Sequence, residues 1–246
     1  MAKIASRQIR KLHDRRAQVG STLVHTWMFP YVLGYRDKVP YFNVKETLIG
    51  TQKALLFIEQ VRLRNGTFLL ANTQDDLARL VKKTATLTKQ PFVDEFWCGG
   101  LLTNWKQVRK SVIAFGFFER FMAPLLLKER NFPFLRYWKS KQRFGGVQNM
   151  RRMPDVLIML QARTSYRHIL DEARRLAIPI ICCIDTYSPN VVVEYPIPVN
   201  VHSIAFSHFF CRLLVKVWTY PRKLDKIVRK PHPFPRFLSW REKKIW

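Results

Sequence analysis

The chain has 246 residues, 48% of them apolar and 13% aromatic, which is enough to bury a core and too apolar for wholesale disorder. Its 43 Lys and Arg face only 17 Asp and Glu, a formal charge of +26. That balance excludes the mixed-sign surface of an ordinary cytosolic enzyme and requires a polyanion, either nucleic acid or an anionic membrane face, to neutralise it.

Read in chain order, Ile4–Arg16 is predicted as a short helix carrying Lys3, Arg7, Arg10, Lys11, Arg15 and Arg16 beside a single acid, Asp14. Gly20–Pro40 is aromatic and broken by Pro30, Gly34 and Pro40, the pattern of a structured loop. Asn43 then caps a helix whose Val44, Leu48, Leu55 and Ile58 recur at helical spacing, with Glu46 at the third helical position; Asn65-Gly66 ends it. Thr67–Ala71 reads as a strand, Thr73 as the cap of a helix with Leu77, Leu80 and Val81 inward, and Pro91–Val93 as a second short strand. Further on, Asp155–Leu160 and Ile178–Ile184 are continuous apolar runs, as expected for strands covered on both faces. Ser165–Leu176 is helical. Val191–Val193 with Ile197 suggests an edge strand, and Val201–Trp218 a closing helix facing inward through Ile204, Phe209, Leu213, Leu214 and Val217. Such alternation predicts an α/β fold, a parallel sheet with helices on both faces.

Two segments interrupt it. The insert 116–152 mixes helical apolar residues with Lys128, Arg130, Arg136, Lys139, Lys141, Arg143, Arg151 and Arg152. The tail after Trp218 carries Arg222, Lys223, Lys226, Arg229, Lys230, Arg236, Arg241, Lys243 and Lys244. With the arm, these 23 side chains are more than half of all the cations. The predicted organisation is therefore a basic arm (1–17), an α/β body (18–218) containing the basic aromatic helical insert, and a basic tail (219–246). Charge concentrated on extensions suits a periphery that grips phosphates.

Other classes have little support. No stretch offers the about twenty uncharged apolar residues that a membrane span needs, so no membrane partner is expected. The basic first twenty residues lack a secretory apolar run and read as a mature arm. Cys98, Cys182, Cys183 and Cys211 form no CxxC and the six histidines no ligand set, so reduced thiols and no metal are expected. Neither the glycine fingerprint of a dinucleotide site nor GxxxxGK[ST], HExxH or GxSxG is present, so no cofactor and no small-molecule substrate are expected. Asp185 follows a strand where catalytic acids of α/β enzymes sit, but it also suits a cap for the turn Thr186–Pro189. Gly99-Gly100 and Gly145-Gly146 can admit a phosphate or mark tight packing. Phe132, Phe134, Tyr137 and Trp138 in the insert, with Trp240 and Trp246 in the tail, can stack on splayed bases or pack against protein.

A specific run decides between these readings. Trp97-Cys98-Gly99-Gly100-Leu101-Leu102-Thr103-Asn104-Trp105-Lys106-Gln107-Val108-Arg109 closely resembles the WLGGxLTNWKTVR signature of the small-subunit ribosomal protein two family, bacterial and organellar branch. Gly145-Gly146 with Met153-Pro154-Asp155, then Glu172-Ala173, Leu176, Ile178-Pro179 and Asp185-Thr186, then Ile197-Pro198 with Asn200, resemble further family segments in the same order. Pro30-Tyr31 with Gly34, and Lys45-Glu46-Thr47, resemble two more, so the likeness spans roughly residues 18–218. The family's His-Phe-Gly-His entry is reduced to Thr22-Leu23-Val24-His25, and Val201-His202 stands where an acidic pair is usual.

The resemblance implies a flavodoxin-like sheet of about five strands with a projecting helical insert, and a structural role on small-subunit rRNA beside neighbouring small-subunit proteins. Abundant Trp and Phe, divergent loops and basic tails look most like mitochondrial members, and the absence of a presequence suits a protein made inside the organelle. The expected RNA contacts are Arg7, Arg10, Lys11, Arg15 and Arg16 of the arm, Lys106, Arg109 and Lys110 beside the signature, and Arg136, Lys139, Lys141, Arg143, Arg151 and Arg152 of the insert. The alternatives are an α/β nucleotide-binding or RNA-modifying enzyme using Asp185, and a free RNA chaperone.

Overall fold

The computed structural model of the protein describes residues 9–72, 75–94, 96–126, 134–162, 166–188 and 193–220. Its first regular elements are a 3-10 helix, Thr26–Tyr31, and a β-hairpin of β1 (Val32–Arg36) and β2 (Val39–Phe42). Helix α1 (Val44–Leu63) follows, then β3 (Phe68–Ala71), α2 (Asp75–Thr88) and β4 (Phe92–Val93). Helix α3 (Trp105–Phe117) runs through one π-helical turn, Phe118–Met122, into Ala123–Leu126, and α4 (Phe134–Phe144) is the other helix of the insert. Strand β5 (Val156–Met159), α5 (Arg167–Arg175), β6 (Ile180–Ile184), β7 (Tyr195–Pro198) and α6 (Ile204–Thr219) complete the fold.

Strands β3 to β7 form one parallel sheet in the order β4-β3-β5-β6-β7. Counted from β3, that is 2-1-3-4-5, the flavodoxin-like order, with the direction of winding reversing between β3 and β5. Every residue of β3, β5 and β6 is buried, which explains their uninterrupted apolar sequences: each side chain meets a helix on one face or the other. Leu69, Ala71, Leu157, Met159, Ile180 and Cys182 point to a layer built by α3, α5 and the signature loop. Phe68, Leu70, Val156, Ile158, Ile181 and Cys183 point to the opposite layer of α1, α2 and α6, where Leu12 of the arm is also buried.

Local chemistry fixes the helix ends as expected. The Asn43 side chain accepts from Lys45 N at the start of α1, and at its end Asn65 takes a positive φ of 54° while Gly66 N donates to Val61 O. Ser203 caps α6, accepting from Phe206 N, and its hydroxyl donates to Arg15 O at 2.5 Å. Asn200 adds a bond from its side chain to Arg16 O. Residues 9–13 are helical, and the end of the arm is therefore fastened to the body rather than hanging from it.

The structure departs from expectation in three places. The segment 20–40 contains the β1–β2 hairpin, not only loop: Asp37 and Lys38 both take positive φ, 51° and 63°, the twist a two-residue hairpin turn needs, without a glycine to announce it. The edge strand is Tyr195–Pro198, which contains the expected Ile197 and starts after Val193, while residues 191 and 192 lie outside the described residues; its Pro196 and Pro198 suit a sheet edge. Helix α6 buries Phe206, Phe210, Cys211, Leu214 and Trp218, while Ile204 is exposed and Phe209, Leu213 and Val217 are half-buried. Its buried face is rotated because it packs on both α1 and α2. Thr73 and Ser165 also lie outside the described residues.

Gly145-Gly146 resolves as tight packing. A Cβ on Gly146 would lie 2.2 Å from the carbonyl oxygen of Phe92, whose own N–H donates to Gly146 O. Gly146→Ala is expected to lower unfolding free energy by about 1–3 kcal/mol through forced displacement of β4, read as a reduced urea midpoint with an unchanged slope.

Candidate nucleic-acid interface

The signature loop is organised by a buried carboxylate 70 residues away in sequence. Glu172, on α5 and 8% exposed, accepts from Trp97 Nε1 (3.1 Å) and Gly100 N (2.8 Å) on one oxygen. Its second oxygen accepts from Leu102 N at 3.0 Å and, more weakly, from Thr103 N at 3.4 Å. Gly100 reaches this arrangement with a φ of +81°, a conformation that favours glycine, so the signature's second glycine is explained. Trp97, Leu101, Leu102 and Trp105 are all buried in the core layer beneath. Both tryptophans therefore pack the loop onto the sheet and are not free to stack on a base.

With Trp105 turned inward, the opposite side of α3 must face outward. Lys106, Arg109 and Lys110, three and four residues apart, are all exposed there as one cationic stripe. The insert adds a second stripe. Arg136, Lys139 and Arg143 on α4 are exposed at helical spacing, and the Arg143 guanidinium sits 5.3 Å from the centre of the Phe96 ring, next to the signature loop. Lys141 points elsewhere: it donates to Tyr137 Oη and pairs with Glu119 at 3.2 Å. The Tyr137 hydroxyl, with Glu119, raises its pKa above the usual lysine value against an opposing desolvation effect. Tyr137 itself is buried against Phe115 and Phe118 in a small core private to the insert. Phe134 and Trp138 are exposed and stacked on each other, rings 10° apart.

The remaining expected contacts are scattered. Arg10, Lys11 and Arg16 are exposed, and Arg15 is half-buried over the Phe209 ring, all on the side of the sheet opposite α3. Arg151 is exposed at the entry to β5. Arg152 donates to Asn65 O at 2.7 Å and lies 3.6 Å from Asp155, which spends part of its charge inside the protein. Arg7, the tail after residue 220, Lys128, Arg130 and Phe132 lie outside the described residues. Lys106, Arg109 and Lys110 thus share one face of α3 and Arg136, Lys139 and Arg143 one face of α4, while the end of the arm lies with the opposite layer of the sheet.

Asp185 is engaged in its own turn. Its Oδ1 accepts from Thr186 N at 2.7 Å, and its backbone N–H donates to Ser188 Oγ. Burial raises its pKa above the usual carboxylate value, partly opposed by the Thr186 bond. Cys182, Cys183 and Cys211 are buried, and desolvation pushes the Cys211 thiol up to about 11, away from nucleophile chemistry. Among the described residues, no group of His, Cys, Asp and Glu has the arrangement to hold a metal ion, and no helix is long and apolar enough to cross a membrane.

This geometry accounts for Trp97, Gly100, Leu101, Leu102 and Trp105 of the signature, and comparison with known proteins agrees with it. The profile of the family described as Ribosomal protein S2 matches residues 19–219. The chain belongs to the ribosomal protein S2 family. It is 31% identical over 216 residues to the small ribosomal subunit protein uS2m of Marchantia polymorpha, covering 85% of this chain and 89% of that one. It is 33% identical to the small ribosomal subunit protein uS2 of Idiomarina loihiensis, over 70% of this chain and 73% of that one. A uS2 of Coxiella burnetii is 30% identical over 76% of this chain, which spans 61% of that protein's length. The S2 signature's acidic anchor, Glu172, was not legible from spacing, since nothing near Gly100 in sequence points to a residue on α5.

Glu172→Gln is expected to lower stability by about 1.5–3 kcal/mol, because the amide presents a donor where the loop presents donors. Trp105→Ala is expected to cost about 3–5 kcal/mol. Urea unfolding followed by circular dichroism measures both, and native-like stability of either variant would contradict the anchoring described.

Proposed function

We propose that this ribosomal protein S2 family member is a non-catalytic structural constituent of a mitochondrial small ribosomal subunit, where it binds small-subunit rRNA beside other subunit proteins. The observation that carries the reading is the anchored signature loop, which fixes α3 so that Lys106, Arg109 and Lys110 are exposed on it as one stripe, while Arg136, Lys139 and Arg143 are exposed on the insert helix α4. Backbone phosphates are recognised by cations held in fixed register, and a loop tied to the core by a buried carboxylate supplies that register at little entropic cost. The arm, the insert and the tail add charge at the periphery, with Arg7, Arg10, Lys11, Arg16, Lys141, Arg151 and Arg152 as further contacts. The mitochondrial assignment is supported by the uS2m of Marchantia polymorpha, matched over most of both chains. Asp185 accepts from Thr186 N within its own turn, which supports the capping role over a catalytic one.

Binding of the purified protein to its rRNA segment should fall linearly in log–log with salt, by roughly 0.7–0.9 per phosphate neutralised. Lys106→Ala and Arg109→Ala should each reduce that slope by about 1 without changing the thermal midpoint. A wild-type slope near zero, or a chain that sediments away from small subunits in a gradient of organelle lysate, would defeat the reading.

A further inference from the structure

On the sheet face opposite the signature helix, α2 and α6 leave a groove between them with a cavity of about 360 Å³, a volume in the range of small-ligand pockets rather than a seat for a whole helix. Lys83 comes from α2, His208 and Arg212 from α6, and Arg15 from the arm, and none of the described residues lining the groove carries a carboxylate. The floor is apolar: Leu80 and Leu87 lie on one side and Phe209 on the other. Arg15 is set in place before any ligand arrives. Its carbonyl accepts from the Ser203 hydroxyl that also caps α6, its side chain donates to Lys11 O, and its guanidinium lies 4.7 Å from the centre of the Phe209 ring.

We infer that this groove is a second RNA contact, which receives one splayed-out nucleotide: the base enters against Phe209, Leu80 and Leu87, and its flanking phosphates lie on Lys83 and Arg212. An apolar slot floored by an aromatic ring suits the face of an unstacked base, and a guanidinium stacked at its wall extends that platform. A rim of basic groups without an acid suits the phosphates on either side. An acidic protein segment shares the charge but has no use for so small and flat a slot. The inference rests on the reading that the chain sits on rRNA, and adds to it a contact on the far side of the sheet.

The test uses the full chain and a fluorescein-labelled single-stranded uridine octamer, with affinity followed by anisotropy across a salt series. Lys83→Glu with Arg212→Glu reverses two exposed groove cations. Lys45→Glu with Lys53→Glu, exposed on α1 and outside the groove, makes the same change in net charge as a control. The groove pair is expected to weaken binding about tenfold more than the control pair and to lower the salt slope by about 2. In the unsubstituted protein, a 4-thiouridine octamer is expected to crosslink to the peptide containing His208 and Phe209, a measurement that does not depend on any variant folding. Equal effects of the two pairs together with crosslinks confined to α3 and α4 would overturn the groove and leave the rRNA reading standing. Insensitivity of binding to Lys106→Glu and Arg109→Glu as well would remove that reading too. Displacement of the octamer from wild type, but not from the groove pair, by a short Glu/Phe peptide without any crosslink at the groove would assign it to a protein segment instead.

Discussion

The Glu172 carboxylate is the constraint around which the cationic face is arranged. A buried charge is tolerated only when hydrogen bonds replace its lost hydration, and here the signature loop supplies them from Trp97, Gly100 and Leu102. The exchange works in both directions. Loop N–H groups that would otherwise be stranded against an apolar core find acceptors, and the loop acquires one conformation. The orientation of α3 follows, since Trp105 starts the helix and is buried, so Lys106, Arg109 and Lys110 have only the outward side.

The two faces of the sheet divide the work. One carries the signature loop, α3 and α5, with the insert nearby through the contact of Arg143 with Phe96. The other carries α1, α2, α6 and the fastened end of the arm. Charge of a single sign on both sides of one thin layer is costly for an isolated molecule. It suits the proposed place among RNA segments, where phosphate on each side would offset it. The insert shows the same economy in small: Glu119 pairs with Lys141 over the Tyr137 core, while Arg136, Lys139 and Arg143 are exposed on another face of α4.

Much of this was legible in the residues themselves. Uninterrupted apolar runs at β5 and β6 foretold strands covered on both sides, Thr67–Ala71 foretold β3 as a strand, and Asn43 and Asn65-Gly66 marked the ends of α1. The hairpin at 32–42 was not legible, because its turn places Asp37 and Lys38 at positive φ without the glycine that usually marks such a turn. The inward face of α6 was misjudged for a related reason. Phe206, Phe209, Phe210, Cys211, Leu213, Leu214, Val215 and Trp218 spread apolar side chains over more than half of the helix circumference, and periodicity does not choose among faces when two neighbouring helices compete for them.

The sequence by itself determined the class of fold, the family and the sign of the partner, because apolar periodicity, a run of fixed residues and net charge are one-dimensional properties. Only the tertiary structure decided which cations act together. That choice depends on residues far apart in the chain: Glu172 meeting Gly100, Ser203 meeting Arg15, and Glu119 meeting Lys141. Each pairing sets a side chain's direction through hydrogen bonds whose partners become neighbours only once the sheet has formed.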